Sequence, residues 1–213
     1  MNILEQIRHH RLVPVIKLDE ASDAAPLAEA LCGGGLPVAE VTFRTDAAAD
    51  AIRIMARQYP HMLVGAGSLT SSEQAKQAVD AGAAFLVSAG FSRQVTEYAL
   101  DNNIPVFPGI CTPTELMLLV EYGLPVAKFF PAEQYGGLKT IKALSAPFPN
   151  MSFMPTGGIG PHNVTDYLAF SKIIACGGSW MVKDSMIQGH EFDKIKTLTE
   201  EAVALVQKEA QHR

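Results

Sequence analysis

The chain has 213 residues, 48% of them hydrophobic, so it can bury a large core and is most simply one domain over residues 1–213. A formal net charge of −5 and a pI near 5.7 provide no basic face for a nucleic-acid backbone, which favours small-molecule partners. No apolar run is long enough to span a membrane, and the N-terminal charges come too early for a signal peptide, so we expect a cytoplasmic protein.

Segments typical of strands and of helices alternate along almost the whole chain. Ile3, Leu4 and Ile7 form an apolar stripe that predicts a short leading helix. The predicted strands are 11–17, 38–44, 62–68, 85–88, 105–108, an apolar run within 124–133, 152–155 and 172–176. The predicted helices are 22–31, 46–59, one opened by the capping box 70–73, 93–102, one opened by the capping box 112–115, 137–144, one reaching residue 169, and 192–209.

Roughly eight strand-then-helix units predict an α/β protein, a (β/α)8 TIM barrel with a short N-terminal helix. A doubly wound open sheet gives the same local alternation and is the competing architecture. Its usual Gly-x-Gly-x-x-Gly turn after the first strand is absent, and glycines instead follow several predicted strands. This distribution favours a barrel, because there the strand ends converge on one mouth.

Lys128 lies inside an otherwise apolar run that predicts a buried strand. Alternation places Val126 and Phe130 on the face of Lys128, and Ala127 and Phe129 on the other. Apolar surroundings disfavour the ammonium form and favour a neutral amine that can attack a carbonyl, so we expect Lys128 to be a Schiff-base nucleophile. A lysine that reaches water at a strand end, or pairs with a carboxylate, is an equally good interpretation of this run alone.

The second predicted strand separates into two faces, with Val38, Glu40, Thr42 and Arg44 on one of them. In a barrel this polar face would look inward near the mouth. The carboxylate of Glu40 suits a general acid/base, and the guanidinium of Arg44 suits an anchor for a substrate carboxylate. The alternative is that Glu40 and Arg44 pair with each other for a purely structural purpose.

Two glycine turns end the seventh and eighth predicted strands: Pro155-Thr156-Gly157-Gly158-Ile159 and Gly177-Gly178-Ser179-Trp180. At these positions barrel enzymes frequently hold a phosphate with backbone N–H groups and a helix N-terminus. The turns therefore predict a phosphorylated substrate. The alternative is that the paired glycines only permit tight turns.

The remaining candidates carry weaker signals. Lys17, at a predicted strand end, competes with Lys128 for the nucleophile role but precedes Asp19 and Glu20, where a solvated lysine is expected; Lys183 is expected to be exposed. The spacing of the histidines does not indicate a metal site: His9, His10, His61, His162, His190 and His212. The cysteines are too far apart for a zinc site or redox pair and are expected to be reduced: Cys32, Cys111 and Cys176. We expect no metal and no cofactor.

Six motifs occur in order from about Val13 to the last helix: Glu-Val-Thr-Phe-Arg-Thr from Glu40, Gly-Ala-Gly-Ser from Gly65, Pro-Gly-Ile from Pro108, Lys-Phe-Phe-Pro-Ala-Glu from Lys128, Pro-Thr-Gly-Gly-Ile from Pro155 and Gly-Gly-Ser-Trp from Gly177. Together they resemble the 2-keto-3-deoxy-6-phosphogluconate (KDPG) aldolase family, which includes 4-hydroxy-2-oxoglutarate (KHG) aldolases. The resemblance implies a class I, metal-independent (β/α)8 aldolase, usually a homotrimer. The implied reaction cleaves KDPG to pyruvate and glyceraldehyde 3-phosphate, or KHG to pyruvate and glyoxylate. The rival functions are an aldolase specific for KHG or another 2-keto-3-deoxy acid, a phosphosugar isomerase or epimerase and, further off, a non-catalytic phosphate-binding barrel.

The resemblance also assigns roles to individual residues. It matches Lys128 to the Schiff-base lysine, Glu40 to the general acid/base and Arg44 to the residue that holds the pyruvyl carboxylate. The other substrate-binding matches are Ser68 at the pyruvyl group, Phe130 beside the Schiff base, and Gly157, Gly158 and Ser179 around the phosphate or distal carboxylate.

Three positions depart from the family pattern. Ser68 stands where many members have threonine, which keeps the hydroxyl. Ala89 stands where the familiar motif has proline, a change that loosens the loop beside the pyruvyl pocket. Lys17 replaces a residue that is commonly aliphatic.

Overall fold

The computed structural model describes the backbone of residues 1–211 and the side chains of residues 1–208, so His212 lies outside the described residues. The strands are β1 (Leu12–Ile16), β2 (Val38–Thr42), β3 (Leu63–Leu69), β4 (Phe85–Ser88), β5 (Val106–Phe107), β6 (Gly109–Ile110), β7 (Val126–Phe129), β8 (Ser152–Pro155) and β9 (Cys176–Gly178). The helices are α1 (Ile3–His10), α2 (Ala24–Gly33), α3 (Ala48–Gln58), α4 (Ser72–Ala81), α5 (Arg93–Asp101), α6 (Pro113–Glu121), α7 (Gly137–Ser145), α8 (Val164–Leu168), α9 (Asp184–Gln188) and α10 (Phe192–Gln211).

The strand pairs of the described chain are all parallel and form two sheets. One sheet has the order β5-β4-β3-β2-β1-β9, and the other has the order β6-β7-β8. The first order steps back through the chain one strand at a time and then places β9 beside β1. It contains no point at which the strand order reverses, as it does in a doubly wound sheet, so that alternative is wrong. The chain has an α/β fold with a curled parallel sheet.

The two sheets approach each other at both of their edges. Pro108, which has no backbone N–H, separates β5 from β6 within one continuous extended stretch. At the other edge, isolated parallel bridges join Phe153 to Ile173 and Thr156 to Gly177. β8 of the smaller sheet and β9 of the larger sheet are therefore neighbours.

The strands are buried along nearly their whole length, as expected for parallel strands covered by helices. Near-continuous apolar runs are the usual sequence of such strands, and β2 and β7 each depart from this by one charged residue. Among the described residues, the buried charged side chains are those of Asp23, Glu40 and Lys128. Two of the three thus lie on strands of the core.

Two capping boxes were predicted at helix starts. The structure confirms the one at 112–115 and places the other one residue later than predicted. At α6, the Thr112 hydroxyl accepts a hydrogen bond from the Glu115 N–H, and the Glu115 carboxylate accepts one from the Thr112 N–H, as the capping box predicts. At α4, the N-cap is Ser71 rather than Thr70, and its hydroxyl accepts from the Gln74 N–H. The spacing is conserved one residue later, because Ser71 is as good an N-cap as Thr70.

The eighth predicted strand, 172–176, is wrong in its position. The Ile173 N–H donates to the Phe170 carbonyl within a turn, so continuous pairing with β1 begins only at Cys176. The short helix α9 was not predicted from the sequence.

In the described part of the chain, no helix combines the length and the apolar character needed to cross a bilayer.

Candidate active site

The buried charged side chains of β2 and β7 meet each other. Lys128 Nζ donates a hydrogen bond to Glu40 Oε1 at 3.0 Å, although the two residues are 88 positions apart in sequence. Lys128 is 4% exposed and Glu40 is 0% exposed. The interpretation in which Lys128 reaches bulk water is therefore wrong. The structure instead shows Lys128 paired with a carboxylate, and this carboxylate is the one predicted to act as acid/base.

A glycine on the strand beside β2 makes room for the Glu40 carboxylate of this pair. In the strand register, Glu40 pairs with Gly65 of β3, and Lys128 pairs with Gly109 of β6. A Cβ atom at Gly67 would lie 2.1 Å from Glu40 Oε1 and 2.6 Å from its Cγ. Real Cβ atoms do not approach other atoms that closely, so the carboxylate can occupy its position only because residue 67 is glycine.

Two further groups complete the surroundings of the amine. Glu40 Oε2 is buried and accepts no hydrogen bond from the described residues, so this oxygen has acceptor capacity to offer a ligand. The Phe130 ring centroid lies 5.5 Å from Lys128 Nζ, a distance at which a ring face attracts a cation. An amine, a carboxylate and an aromatic face therefore converge at the ends of β2 and β7, a set that can form and stabilise an iminium.

Arg44 lies just beyond β2 and is exposed. Its Nε donates to Thr42 Oγ1 at 3.1 Å, while Thr42 Oγ1 itself donates to the Ile16 carbonyl at 2.8 Å. Among the described residues no ion pair joins Arg44 to Glu40, so the alternative of a purely structural Glu40–Arg44 pair is wrong. The two terminal guanidinium nitrogens are available for bidentate binding of a carboxylate.

Ser68 is half-buried near the end of β3 and has a φ of +57°, in the left-handed region. This conformation costs a residue other than glycine about 1–2 kcal/mol. It coincides with a shift in the β3–β4 register between Ala66 and Leu69. The irregularity re-aims the backbone at the carboxyl end of the strand, as bulges beside functional sites commonly do.

Gly157, Gly158 and Ser179 lie on adjacent loops at the carboxyl ends of β8 and β9. The two glycines have φ values of +103° and +76°. The Gly157 carbonyl accepts a hydrogen bond from the Glu133 N–H at 3.1 Å, which joins this loop to the one that follows β7. Ser179 is exposed, and its loop begins one residue after β9. The predicted phosphate residues are thus grouped after β8, which pairs with the Lys128 strand, and after β9, which is bridged to β8.

Lys17 and Lys183 occupy more exposed positions than Lys128. Lys17 Nζ donates to Asp19 Oδ1 at 2.6 Å, and its side chain is 28% exposed. Lys183 is exposed and precedes α9. Within the described residues, no group of three His, Cys, Asp or Glu side chains is arranged to hold a metal ion.

The three cysteines are unpaired thiols. Burial raises the pKa of Cys32, of Cys111 and of Cys176, and Glu115 adds to the effect at Cys111. A raised pKa disfavours the thiolate, the reactive form. None of the three therefore has the character of a nucleophile, and Cys111, half-buried after β6, remains a packing residue.

Sequence reasoning missed two residues of the site. Gly67 was noted as one of several glycines that follow strands and Thr156 as part of a turn, each also within a family motif, but neither was assigned a role. Thr156 Oγ1 is buried without a partner and faces Gly177, where a Cβ would lie 2.3 Å from it. Both are related to the pair by strand register, which the sequence alone does not give: Gly67 lies two residues beyond the partner of Glu40, and Thr156 two beyond the partner of Lys128.

The loop that contains Ala89 packs against β6, the strand that pairs with the Lys128 strand β7. A Cβ at Gly109 would lie 2.0 Å from the Ala89 carbonyl oxygen, so glycine is required for this approach. Gly109 is the register partner of Lys128. The departure from the family motif at Ala89 is therefore one strand away from the amine.

Comparison with known proteins identifies the family. The model for KDPG and KHG aldolase matches residues 3–198. The chain belongs to the KDPG and KHG aldolase family. A 2-dehydro-3-deoxy-phosphogluconate aldolase of Haemophilus influenzae from this family is 45% identical to it over 204 residues, 96% of each chain.

Solved structures of family members have the same fold as this chain. A KDPG aldolase from Legionella pneumophila, with pyruvate captured as a covalent carbinolamine intermediate, matches with a TM-score of 0.90 and 37% identity, covering 94% of this chain and 98% of that one. A 2-keto-3-deoxy-6-phosphogluconate aldolase of Zymomonas mobilis, with 3-phosphoglycerate, matches with a TM-score of 0.87 and 37% identity, covering 94% of each chain.

Proposed function

We propose that this chain is a class I aldolase that reversibly cleaves KDPG to pyruvate and glyceraldehyde 3-phosphate and also cleaves KHG to pyruvate and glyoxylate. The observation that carries the proposal is the buried contact of 3.0 Å between Lys128 Nζ and Glu40 Oε1 in a member of this family. The Legionella pneumophila relative supports covalent chemistry on pyruvate, because pyruvate is captured in it as a covalent carbinolamine intermediate.

In the proposed mechanism, Lys128 Nζ in its neutral form adds to the C2 ketone and gives a carbinolamine. Glu40 delivers the proton with which the hydroxyl leaves as water, and an iminium remains. Glu40 then takes the proton of the C4 hydroxyl, the C3–C4 bond breaks, and its electron pair flows into the iminium to give an enamine. Protonation at C3 and hydrolysis release pyruvate. The iminium is the electron sink, so the reaction needs neither a metal nor a cofactor.

Three residues orient the pyruvyl half in this proposal. The terminal nitrogens of Arg44 bind the C1 carboxylate, and the Ser68 hydroxyl donates a hydrogen bond to the same group. Fixing the carboxylate keeps the breaking C3–C4 bond aligned with the iminium π system. The face of Phe130, 5.5 Å from Lys128 Nζ, stabilises the cationic iminium.

The distal half of the substrate is assigned to the loops after β8 and β9. There the backbone N–H groups of Gly157 and Gly158 and the hydroxyl of Ser179 hold the phosphate of KDPG or the distal carboxylate of KHG. The Zymomonas mobilis relative, with 3-phosphoglycerate, supports a phosphate-binding site in the family. In specificity constants, Ser179→Ala should lower activity on KDPG more than activity on KHG. Equal losses on both substrates would contradict the assignment.

We further propose that the two sheets form one closed (β/α)8 barrel in a single domain over residues 1–213. The position of β9 beside β1 and the bridge from Thr156 to Gly177 support closure. We also propose a cytoplasmic homotrimer, on family resemblance for the trimer and on composition for the compartment. Sedimentation analysis of the purified chain tests the trimer, which a monomer or dimer at assay concentrations would refute.

Borohydride trapping tests the proposed function. Reduction in the presence of pyruvate should attach one reduced pyruvyl group to Lys128, located by peptide mapping, and Lys128→Met should take up none. A modified peptide containing Lys17 instead would overturn the assignment of the nucleophile. The absence of trapping, together with isomerisation or epimerisation of a phosphosugar, would show that the barrel carries the rival chemistry.

A further inference from the structure

Lys17 lies beside the strand that leads into the proposed phosphate turn. β1 pairs with β9 through Val13 with Gly177 and Pro14 with Gly178. When this register is continued by one residue, Val15 is level with Ser179, and Lys17 lies two residues, about 7 Å, further along the strand. Neighbouring strands are about 4.8 Å apart, so a lysine side chain at this position can reach the space above Ser179.

The side chain of Lys17 belongs to the same face of the sheet as Glu40. Val15 pairs with Glu40 in register, and paired residues of neighbouring strands point to the same face. Alternation gives Lys17 the face of Val15. Burial follows this pattern, since Ile16 and Leu18 are 0% exposed while Val15 and Lys17 are half-buried. Lys17 therefore lies above the Glu40 layer, toward the mouth.

The ammonium of Lys17 is held in place but retains free donors. Nζ donates to Asp19 Oδ1 at 2.6 Å, and Asp19 Oδ2 accepts from Gln188 Nε2 at 2.9 Å. The hydrogen bonds from Lys17 and Gln188 lower the pKa of Asp19, so its carboxylate stays charged. An ammonium group has three N–H donors, and Asp19 accepts from one of them. The side chain is 28% exposed, so the others are accessible to a ligand.

Lys17 is also one of the residues that line a cleft of about 430 Å³ with four carboxylates: Asp19, Glu20, Asp23 and Asp184. These carboxylates repel an anion, so the cleft itself is a poor place for a phosphate. They would also oppose a phosphate bound at the nearby glycine turns. A cation at the border of the cleft offsets this repulsion, and Lys17 has the position and the charge to do so.

We propose that Lys17 is a specificity-determining residue whose ammonium binds the phosphate of the substrate beside Ser179 and selects phosphorylated 2-keto-3-deoxy acids over KHG. The inference rests on the proposed aldolase function. In KDPG the anionic group is carried on the C6 oxygen, whereas the distal carboxylate of KHG is bonded directly to C4. The phosphate therefore lies further from C4 than the carboxylate does, so of the two groups held at the glycine turns the phosphate is the one that extends to Lys17.

Steady-state kinetics on both substrates test this proposal with four variants. For Lys17→Met, which restores an aliphatic chain, we expect the KM for KDPG to rise about tenfold, with kcat and the KM for KHG changed less than about twofold. Lys17→Arg should recover most of the loss. Asp19→Asn should lower the KM for KDPG, because it removes a negative charge 2.6 Å from the ammonium. Lys76→Met, which removes a lysine from an exposed ion pair with Asp80, is the matched control and should change neither KM.

The KM for KDPG is expected to rise in Lys17→Met and to fall in Asp19→Asn. These opposite changes distinguish phosphate binding by Lys17 from a purely structural role. If the Lys17–Asp19 bond only fixed the loop, Lys17→Met and Asp19→Asn would change the KM in the same direction, and the proposal would be overturned. An unchanged KM for KDPG in Lys17→Met, or equal increases for both substrates, would also overturn it. If Lys17→Met does not fold, Asp19→Asn is the deciding variant. Salt dependence is a second measurement: the KM of the wild-type protein for KDPG should rise with salt, because salt screens the attraction between the ammonium and the phosphate.

The same measurements distinguish failure of this inference from failure of the proposed function. Wild-type protein that releases pyruvate from KDPG and is trapped at Lys128 retains the aldolase function, whatever Lys17→Met does. Wild-type protein that releases pyruvate from neither substrate refutes both. Release from KHG alone refutes the selection assigned to Lys17 and leaves the Schiff-base chemistry intact.

Discussion

Glu40 uses only one of its two carboxylate oxygens to hold Lys128: Oε1 accepts the hydrogen bond from Nζ at 3.0 Å, and Oε2, also buried, accepts none from the described residues. The carboxylate therefore has one oxygen that orients the amine and one that can exchange a proton with the substrate. An orphaned acceptor in the core is costly unless a ligand or water satisfies it. This arrangement fits a general acid/base that serves both the amine and the C4 hydroxyl.

Glu40→Gln removes the proton transfer and preserves the shape of the side chain. We expect kcat to fall by about 10²–10⁴-fold, the usual contribution of a general acid/base, while borohydride still traps pyruvate slowly on Lys128. Stopped assays of pyruvate release and mass spectrometry of the trapped peptide measure the two effects. Glu29→Gln, at an exposed position of α2, is the matched control and should retain wild-type rates. Full activity of Glu40→Gln would exclude Glu40 as the acid/base.

The buried pair should be coupled in stability. Lys128→Met leaves the Glu40 carboxylate buried without its cation, and the loss should be about 3 kcal/mol. Lys128→Met combined with Glu40→Met removes both charges and should be less destabilised than Lys128→Met alone, because no unpaired charge remains. Urea unfolding at neutral pH measures the four free energies of the cycle: wild type, Lys128→Met, Glu40→Met and the double variant. Additive losses in the double variant would mean that the two side chains do not interact energetically.

Gly67→Ala should impair catalysis by displacing Glu40. The new Cβ would lie 2.1 Å from Glu40 Oε1, so the carboxylate must move away from Lys128 Nζ or the strands must separate. We expect a loss of stability of about 1–3 kcal/mol and a fall in kcat comparable to that of Glu40→Gln. Gly33→Ala, where only the flexible end of Lys196 comes within 3.4 Å, is the control and should be close to neutral. A Gly67→Ala variant with wild-type activity and stability would contradict this prediction, because it would show that a Cβ at residue 67 does not displace the Glu40 carboxylate.

The hydrophobic periodicity of the sequence predicted the strands that carry the site well. It predicted the ends of the other strands and helices less well. Glu40 and Lys128 interrupt apolar runs, and a buried charge in such a run demands a partner, so their importance could be predicted from the residues. Their contact could not, because a period of two gives the face of each strand and not which strands are neighbours. The pairing across 88 positions depends on the register of the whole sheet.

The misplaced eighth strand has a different physical origin. Ile173 to Cys176 is an apolar run, but its first residues form only an isolated bridge to Phe153 of β8, and the Ile173 N–H is bonded to the Phe170 carbonyl within a turn. The glycines of β9 have no strand propensity of their own, and pairing with β1 imposes their extended conformation. Local sequence thus predicts the number of units, while tertiary pairing decides where this strand begins.

Cys176 predicts how stability responds to alkaline pH. The thiol is 0% exposed, and burial raises its pKa above the ordinary value of 9.0. The unfolded chain therefore loses this proton at lower pH than the folded chain, so the stabilisation is complete below about pH 9 and declines as the pH rises above it. Thermal unfolding from about pH 8 to about pH 10.5 should show a falling Tm, with a shallower fall in Cys176→Ala. Other groups whose pKa values burial raises contribute to the part of the fall that remains in this variant: Cys32, Cys111, Tyr59 and Tyr167. Equal slopes in the two proteins would show that the Cys176 thiol does not contribute.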